Sequence, residues 1–217
     1  MAAIYVDLDG TLLQYERSFA DIFADACAAV GIDATDEYQQ YHLERFFERF
    51  TAFDDDPYLA AARDLCQEYG LDVDPAAFRD ARVEKEREAT TVAPNVYDAL
   101  DTLSADYDLG VLSNGVGYVQ RGKLDAHGLT DRFDAIVVSH DVGAMKPDRR
   151  LFTVAQERLP ANEHVYVGDS AEDDIDGAVD AGWARTVHVV SDTDTCSGCR
   201  ADLHVTPTEF DRIGGVL

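Results

Sequence analysis

Lysine is nearly missing from this sequence, with only 3 residues, at 85, 123 and 146, among 18 basic side chains in 217. Against them stand 43 acidic residues, and the formal charge at neutral pH is −25. A surface of that sign repels phosphate backbones and anionic headgroups, which excludes nucleic-acid and membrane partners. Cysteine is scarce as well. Its four residues, at 27, 66, 196 and 199, are too few and too scattered for the disulfide scaffold of a secreted domain, so reduced thiols are expected. No apolar run approaches the roughly 18 residues of a membrane span, and the opening Met-Ala-Ala-Ile-Tyr-Val has no basic region and breaks at Asp7. The expectation is a soluble, untargeted, cytoplasmic protein, long enough to bury a sizeable core as one large domain or a domain with an insertion.

The charge is biased in kind, 31 Asp to 12 Glu and 15 Arg to 3 Lys. This composition resembles that of salt-adapted cytoplasmic proteins of extreme halophiles. Such charges interact over about 10 Å at 0.1 M salt but over only about 3 Å at 1 M. Loss of folded structure at low ionic strength is therefore expected.

Hydrophobic patterning describes an α/β chain with an interruption. Residues 2–6 form a short apolar run ending in Asp7-Leu8-Asp9-Gly10-Thr11, where Gly10 supplies a turn. The next convincing strand, 109–112, comes far later than a crossover of about a dozen residues plus its helix requires. The insert reads as helices. Ser18 caps the first, which carries Phe19, Ile22, Phe23, Ala26 and Val30 and stops at Gly31; Leu43, Phe46, Phe47 and Phe50 mark the second; Asp56-Pro57 and Asp74-Pro75 open the third and fourth, Gly70 closing the third. Beyond Pro94, strands at 109–112, 135–138, 164–167 and 186–190, with a weaker edge strand at 203–205, alternate with helices at 96–103, 118–127, 151–159 and 174–181. The prediction is a doubly wound, Rossmann-like parallel sheet built from residues 1–14 and 91–217, with an all-helical domain inserted over 15–90.

In such a sheet, reactive groups belong at the carboxyl ends of strands. Four ends carry polar clusters: Asp7 with Asp9, Ser113 with Asn114, Lys146-Pro147 shortly after the third strand, and Gly168-Asp169-Ser170. Asp-x-Asp alone means little, since aspartate this common yields such pairs by chance. The pair at 7 and 9 is set apart by the strand before it, the Gly-Thr turn after it, and three further polar strand ends in consistent order.

Asp7-Leu8-Asp9-Gly10-Thr11, Ser113-Asn114-Gly115, Lys146-Pro147 and Gly168-Asp169-Ser170-x-x-x-Asp174 resemble the four ordered motifs of the haloacid dehalogenase-like hydrolase superfamily. The fit spans nearly the whole chain, because the helical insert sits where that superfamily's phosphatases carry a helical cap. Gln120-x-x-Lys123-Leu124, Gly143-x-x-Lys146-Pro147 and Ala181-Gly182-Trp183 are similar to its small-molecule phosphatase branch. The resemblance implies a phosphatase acting on a small phosphomonoester. Asp7 is then the nucleophile that forms an aspartyl-phosphate, and Asp9 the acid for the leaving oxygen and the base for water. It implies Mg2+ held by Asp7, the Asp9 carbonyl and Asp169, with Asp174 a direct or outer partner; Asp173 stands where the family often has Asn. Clustered carboxylates facing a phosphate call for such a hard cation. Lys146 would balance Asp7 and the phosphoryl group, and Ser113, Asn114 and Gly115 would bind its oxygens.

Cap arginines 17, 45 and 49 are candidates for an anionic leaving group, although pairing with surface acids is the simpler expectation. The stripe of Phe46, Phe47, Phe50 and Phe53 is expected to be cap core. Cys196-x-x-Cys199, with His188 and His204 nearby in sequence, invites a zinc or redox reading, yet one Cys pair is half a zinc site, and a reduced pair is expected. A dehalogenase needs no proton donor for departing halide, so Asp9 argues against one. A phosphomutase of the same fold and a non-catalytic binding module are the remaining alternatives.

Overall fold

The computed structural model describes residues 2–191 and 199–215. In chain order the elements are β1 (Ala2–Val6), a short β2 (Leu13–Tyr15), helices α1 (Phe19–Ala29), α2 (Asp36–Thr51), α3 (Pro57–Tyr69) and α4 (Pro75–Glu88), a short β3 (Thr90–Val92), then α5 (Val96–Leu103), β4 (Asp108–Ser113), α6 (Gly117–Ala126), β5 (Ala135–Val138), α7 (Ser139–Val142), α8 (Arg149–Arg158), β6 (Glu163–Gly168), α9 (Gly177–Asp180), β7 (Arg185–Val189) and β8 (Leu203–Val205). They divide into two compact units, Met1–Gln14 with Thr91–Leu217, and Tyr15–Thr90.

The first unit is a Rossmann-like α/β fold. Its six strands run in the order β5-β4-β1-β6-β7-β8, and every pairing is parallel. β1 is central, so the chain builds outward to β5 on one side and then reverses to build β6 to β8 on the other. Ligand crevices open at the carboxyl ends of strands flanking such a reversal. Period-two alternation gives each face its own core. Ile4 and Val6 join Leu109, Val111, Val165 and Val167 on one side, while Ala3 and Tyr5 join Leu112, Phe152, Tyr166 and Trp183 on the other. Tyr5 is fully buried, and its hydroxyl donates to the Ala155 carbonyl at 2.6 Å, which meets the demand of a phenol in an apolar core.

The second unit is helical because its helices carry complete start and stop signals. Ser18, Thr35, Asp56 and Asp74 accept from backbone N–H groups in the first turns of α1 to α4, and Gly70 ends α3 in the left-handed conformation at φ 60°. Its core is Phe23, Ala26 and Cys27 from α1, Ala62 and Leu65 from α3, and Phe78 from α4. Here the expected phenylalanine stripe is corrected. Among α2 residues only His42 is buried, wedged between the rings of Phe23 and Phe78 at 5.4 and 5.5 Å, whereas Leu43 and Phe47 remain 44% and 52% exposed. Tyr38, Tyr41 and His42 lie one position, about 100° of helix rotation, away from the stripe, and aromatic packing of that face wins.

β2 and β3 pair as a two-stranded ribbon. Each has three residues, too few for strand periodicity to show in sequence. No helix among the described residues is long and apolar enough to cross a membrane.

Candidate active site

β1 ends in the middle of the sheet, and the Asp7 N–H continues its ladder by donating to Val167 O at 2.8 Å. The Asp7 carboxylate is thereby fixed in a crevice, 6% exposed. Gly10, at φ 87°, turns the chain sharply beyond it; a Cβ there would fall 2.4 Å from an Asp169 carboxylate oxygen. Glycine is thus required both by conformation and by the close approach of Asp169.

Lys146 is buried, and its ammonium has three partners: Asp7 Oδ1 at 2.8 Å, Asp174 Oδ1 at 2.5 Å and the Tyr166 hydroxyl at 2.8 Å. Burial works against its charge, but the Asp174 and Asp7 carboxylates outweigh burial and hold its pKa above the ordinary lysine value. It is therefore a fixed cation. Removing one member of a buried pair of this kind costs on the order of 3–5 kcal/mol, because the remaining charge is stranded.

Asp169, on the loop after β6, accepts from the Thr11 hydroxyl at 3.2 Å, and Asp174 Oδ2 accepts from the Ser170 N–H at 2.9 Å. Carboxylate oxygens of Asp7, Asp169 and Asp174 lie within 4.8 Å of one another. Burial pushes the Asp7 carboxyl up to about 8; Lys146 opposes this, and Asp174 and Asp169 add to it. Asp169 is likewise raised, by burial and then by Asp174. Asp7 and Asp174 share the buried ammonium, and the more exposed Asp169 beside them leaves the cluster with an excess of negative charge; an all-oxygen donor set of this kind fits a hard divalent cation such as Mg2+. Asp174 is gathered with Asp7 and Asp169 in this cluster; Asp173 stands beside it, lining the same crevice.

Asp9 occupies a different environment. Its side chain is 28% exposed and accepts from Lys123 Nζ at 3.0 Å and from Gln120 Nε2 at 2.7 Å. Gln120 and Lys123 are themselves buried and stand three residues apart on α6, hence on one helical face. Gln120 also donates to Ser113 Oγ at 2.9 Å and so ties the ends of β1 and β4 together. The functional placement of these two residues is missed when they are read only as part of a family pattern. The available signal was that Lys123 is one of 3 lysines and shares a helix face with a glutamine.

Two of the residues expected to contact the phosphoryl group also have partners within the protein. The Asn114 side chain clasps the Lys146 backbone, donating to its carbonyl at 3.1 Å and accepting from its N–H at 2.8 Å. It thus braces the lysine from the wall of the crevice. The Gly115 N–H donates to Ser139 Oγ at 2.9 Å, and a Cβ at Gly115 would strike the Gln120 side chain at 2.6 Å. Glycine here makes room for Gln120. The crevice itself encloses about 220 Å3 and is lined by Asp7, Asp9, Ser113, Asn114, Lys146, Asp169, Ser170, Asp173 and Asp174.

In the helical unit the candidate arginines are paired with acids: Arg17 with Asp25, Arg45 with Asp64 at 3.1 Å, and Arg49 with Asp64 at 2.9 Å.

A doubly wound parallel sheet, with aspartates and a buried lysine converging where its strand order reverses, defines a Rossmann-like hydrolase. The chain belongs to the haloacid dehalogenase-like hydrolases, whose family model matches residues 4–188. It is similar to YfnB of Bacillus subtilis, described as a HAD-hydrolase, with 29% identity over 185 residues, 81% of this chain and 79% of that one. It is 34% identical over 117 residues to the pyrimidine 5'-nucleotidase YjjG of Escherichia coli, a match that spans about half the length of each, 52%. The structure of YfnB bound to magnesium superimposes with a TM-score of 0.74 at 24% identity, covering 98% of this chain and 97% of that one. A HAD phosphatase from Thermococcus onnurineus gives a TM-score of 0.68 at 27% identity, covering 99% and 98%.

Proposed function

We propose that this hydrolase is a magnesium-dependent phosphatase acting on a small phosphorylated metabolite through an aspartyl-phosphate on Asp7. The observation that carries the reading is the presence of two carboxylates two residues apart with separate partners. Asp7 is buried against Lys146, whereas Asp9 is partly exposed and held by Lys123 and Gln120. Two carboxylates in unlike environments suit a division of labour between nucleophile and acid–base group.

An Asp7 oxygen attacks phosphorus in line, and the bond to the leaving oxygen breaks as Asp9 delivers its proton there. Water then attacks phosphorus, Asp9 takes its proton, and the Asp7 carboxylate departs with inorganic phosphate released. Lys146 offsets charge on Asp7 and the phosphoryl group throughout, while the Ser113 hydroxyl and backbone N–H groups of that loop receive the phosphoryl oxygens. Mg2+, held by the Asp7 and Asp169 carboxylates and the Asp9 carbonyl with Asp174 beside them, would supply further neutralisation of the transferring group.

In this reading residues 15–90 form a cap that selects the substrate, 1–14 and 91–217 form the catalytic domain, and the protein works in a salty cytoplasm. The names of the nucleotidase and phosphatase relatives support a small phosphomonoester substrate. Trapping tests the covalent step. Asp9→Asn, mixed with para-nitrophenyl phosphate, whose leaving group departs without a proton, and acid-quenched, should carry one phosphate on the peptide containing Asp7. Wild-type turnover without any phosphopeptide in this variant would remove the aspartyl-phosphate, and interconversion of sugar phosphates without phosphate release would identify a mutase.

A further inference from the structure

Away from this crevice, β7 and β8 run parallel in a register that sets His188 directly beside His204. Adjacent strands are about 4.8 Å apart, so two histidines paired in this way project from neighbouring positions on the same face. Cys199, on the segment entering β8, closes the group: ligand atoms of His188, Cys199 and His204 all lie within 4.8 Å of one another. We propose that these three side chains form a zinc site, separate from the carboxylate cluster and independent of the phosphatase reading. Cys196 lies outside the described residues, and the site does not use it.

Three observations carry the proposal. Cys199 Sγ is 3.3 Å from His188 Nδ1. Thiolate and imidazole ligands on one tetrahedral zinc, with Zn–S about 2.3 Å and Zn–N about 2.0 Å, stand roughly 3.5 Å apart, so this pair is already at ligand spacing. Second, His188 Nε2 lies 2.9 Å from the Asp169 carbonyl. Donation of Nε2–H to that carbonyl fixes the tautomer with its lone pair on Nδ1, toward Cys199, the orientation that metal-bound histidines receive from an outer hydrogen bond. Third, His204 Nε2 is buried and has no hydrogen-bond partner among the described residues. A buried ring nitrogen left this way is destabilising unless something binds it.

A thiolate with two imidazoles is a soft, nitrogen-rich set that favours zinc over the hard cation suited to Asp7 and Asp169. The fourth position is left to water or another donor. Bound there, zinc would fasten edge strand β8 to β7 and, through His188, steady the carbonyl of Asp169.

Cobalt is the probe, because a thiolate-to-cobalt charge-transfer band reports only on a site containing cysteine. Chelator-treated, reduced full-length protein in molar potassium chloride with excess Mg2+ should develop that band, saturating at one Co2+ per chain and abolished by Zn2+. Cys199→Ser should lose the band, His204→Gln should weaken it, and the Cys27→Ser/Cys66→Ser double variant should keep it. Should Cys199→Ser fail to fold, zinc protection of Cys199 from alkylation in the wild type, mapped by mass spectrometry, decides the matter. No band, a band that survives Cys199→Ser in folded protein, or an alkylation rate at Cys199 unaffected by zinc would overturn the proposal.

Discussion

Lys123 and Asp9 are 114 residues apart in the chain, and their side chains meet at 3.0 Å. The lysine is buried on α6 and reaches a carboxylate that begins a turn at the end of β1. Lys123 therefore holds and orients the Asp9 carboxylate. Lys123→Met should lower kcat by about tenfold to a hundredfold, part of the contribution of a well-placed acid–base group, with little change in KM. Lys123→Arg, which keeps a cationic donor at this position, should restore part of the rate. An unchanged kcat in folded Lys123→Met would contradict an orienting role.

Gly10 meets Asp169 too closely for any side chain. Gly10→Ala would force a non-glycine residue to φ 87° and push the Asp169 carboxylate aside, with about 1–2 kcal/mol of strain. The Mg2+ concentration for half-maximal activity should rise at least about tenfold, by the rule that displacing a metal ligand's support weakens binding by 10–100-fold. An unaltered magnesium titration in a folded variant would show that Asp169 does not hold the ion.

His42 gives the helical unit a pH dependence of known sign. Burial pushes its pKa down to about 3, with the Arg82 charge adding to the shift, against 6.5 in the unfolded chain. The folded state thus keeps it neutral, and its contribution to stability is complete above pH 6.5 and is lost progressively as pH falls toward 3. The slope is at most about 1.4 kcal/mol per pH unit. Denaturant unfolding of wild type and His42→Phe between pH 7 and 4.5 should show the variant losing less stability. Parallel curves would mean that folding does not shift the titration of His42.

The charge of −25 predicts a salt requirement for folding itself. Circular dichroism across a potassium chloride titration should show helical signal disappearing as salt falls toward millimolar, where charges repel across tens of ångströms. A constant spectrum over that range would contradict a salt-adapted surface.

The parallel sheet was legible because buried strands such as Leu109-Gly110-Val111-Leu112 are continuous apolar runs separated by capped helices. The residues of the crevice were legible because strand ends place Asp7, Ser113 and Asp169 at one edge of such a sheet. What sequence did not show follows from tertiary packing. Nothing local says that Asn114 turns its amide onto the Lys146 backbone, that Gln120 bridges Asp9 and Ser113, or that α2 buries His42 instead of Phe47. Register is equally non-local: His188 and His204 are near in sequence, but that they stand directly side by side follows only from the pairing of β7 with β8.

The central claim, phosphoryl transfer by Asp7 with magnesium, is tested most directly by hydrolysis of para-nitrophenyl phosphate in molar potassium chloride, with and without Mg2+, by wild type and Asp7→Asn. The account predicts turnover by the wild type only when Mg2+ is present and none by the variant. Turnover that survives in Asp7→Asn or without Mg2+, or none by a folded wild type given magnesium and a panel of phosphorylated metabolites, would contradict it.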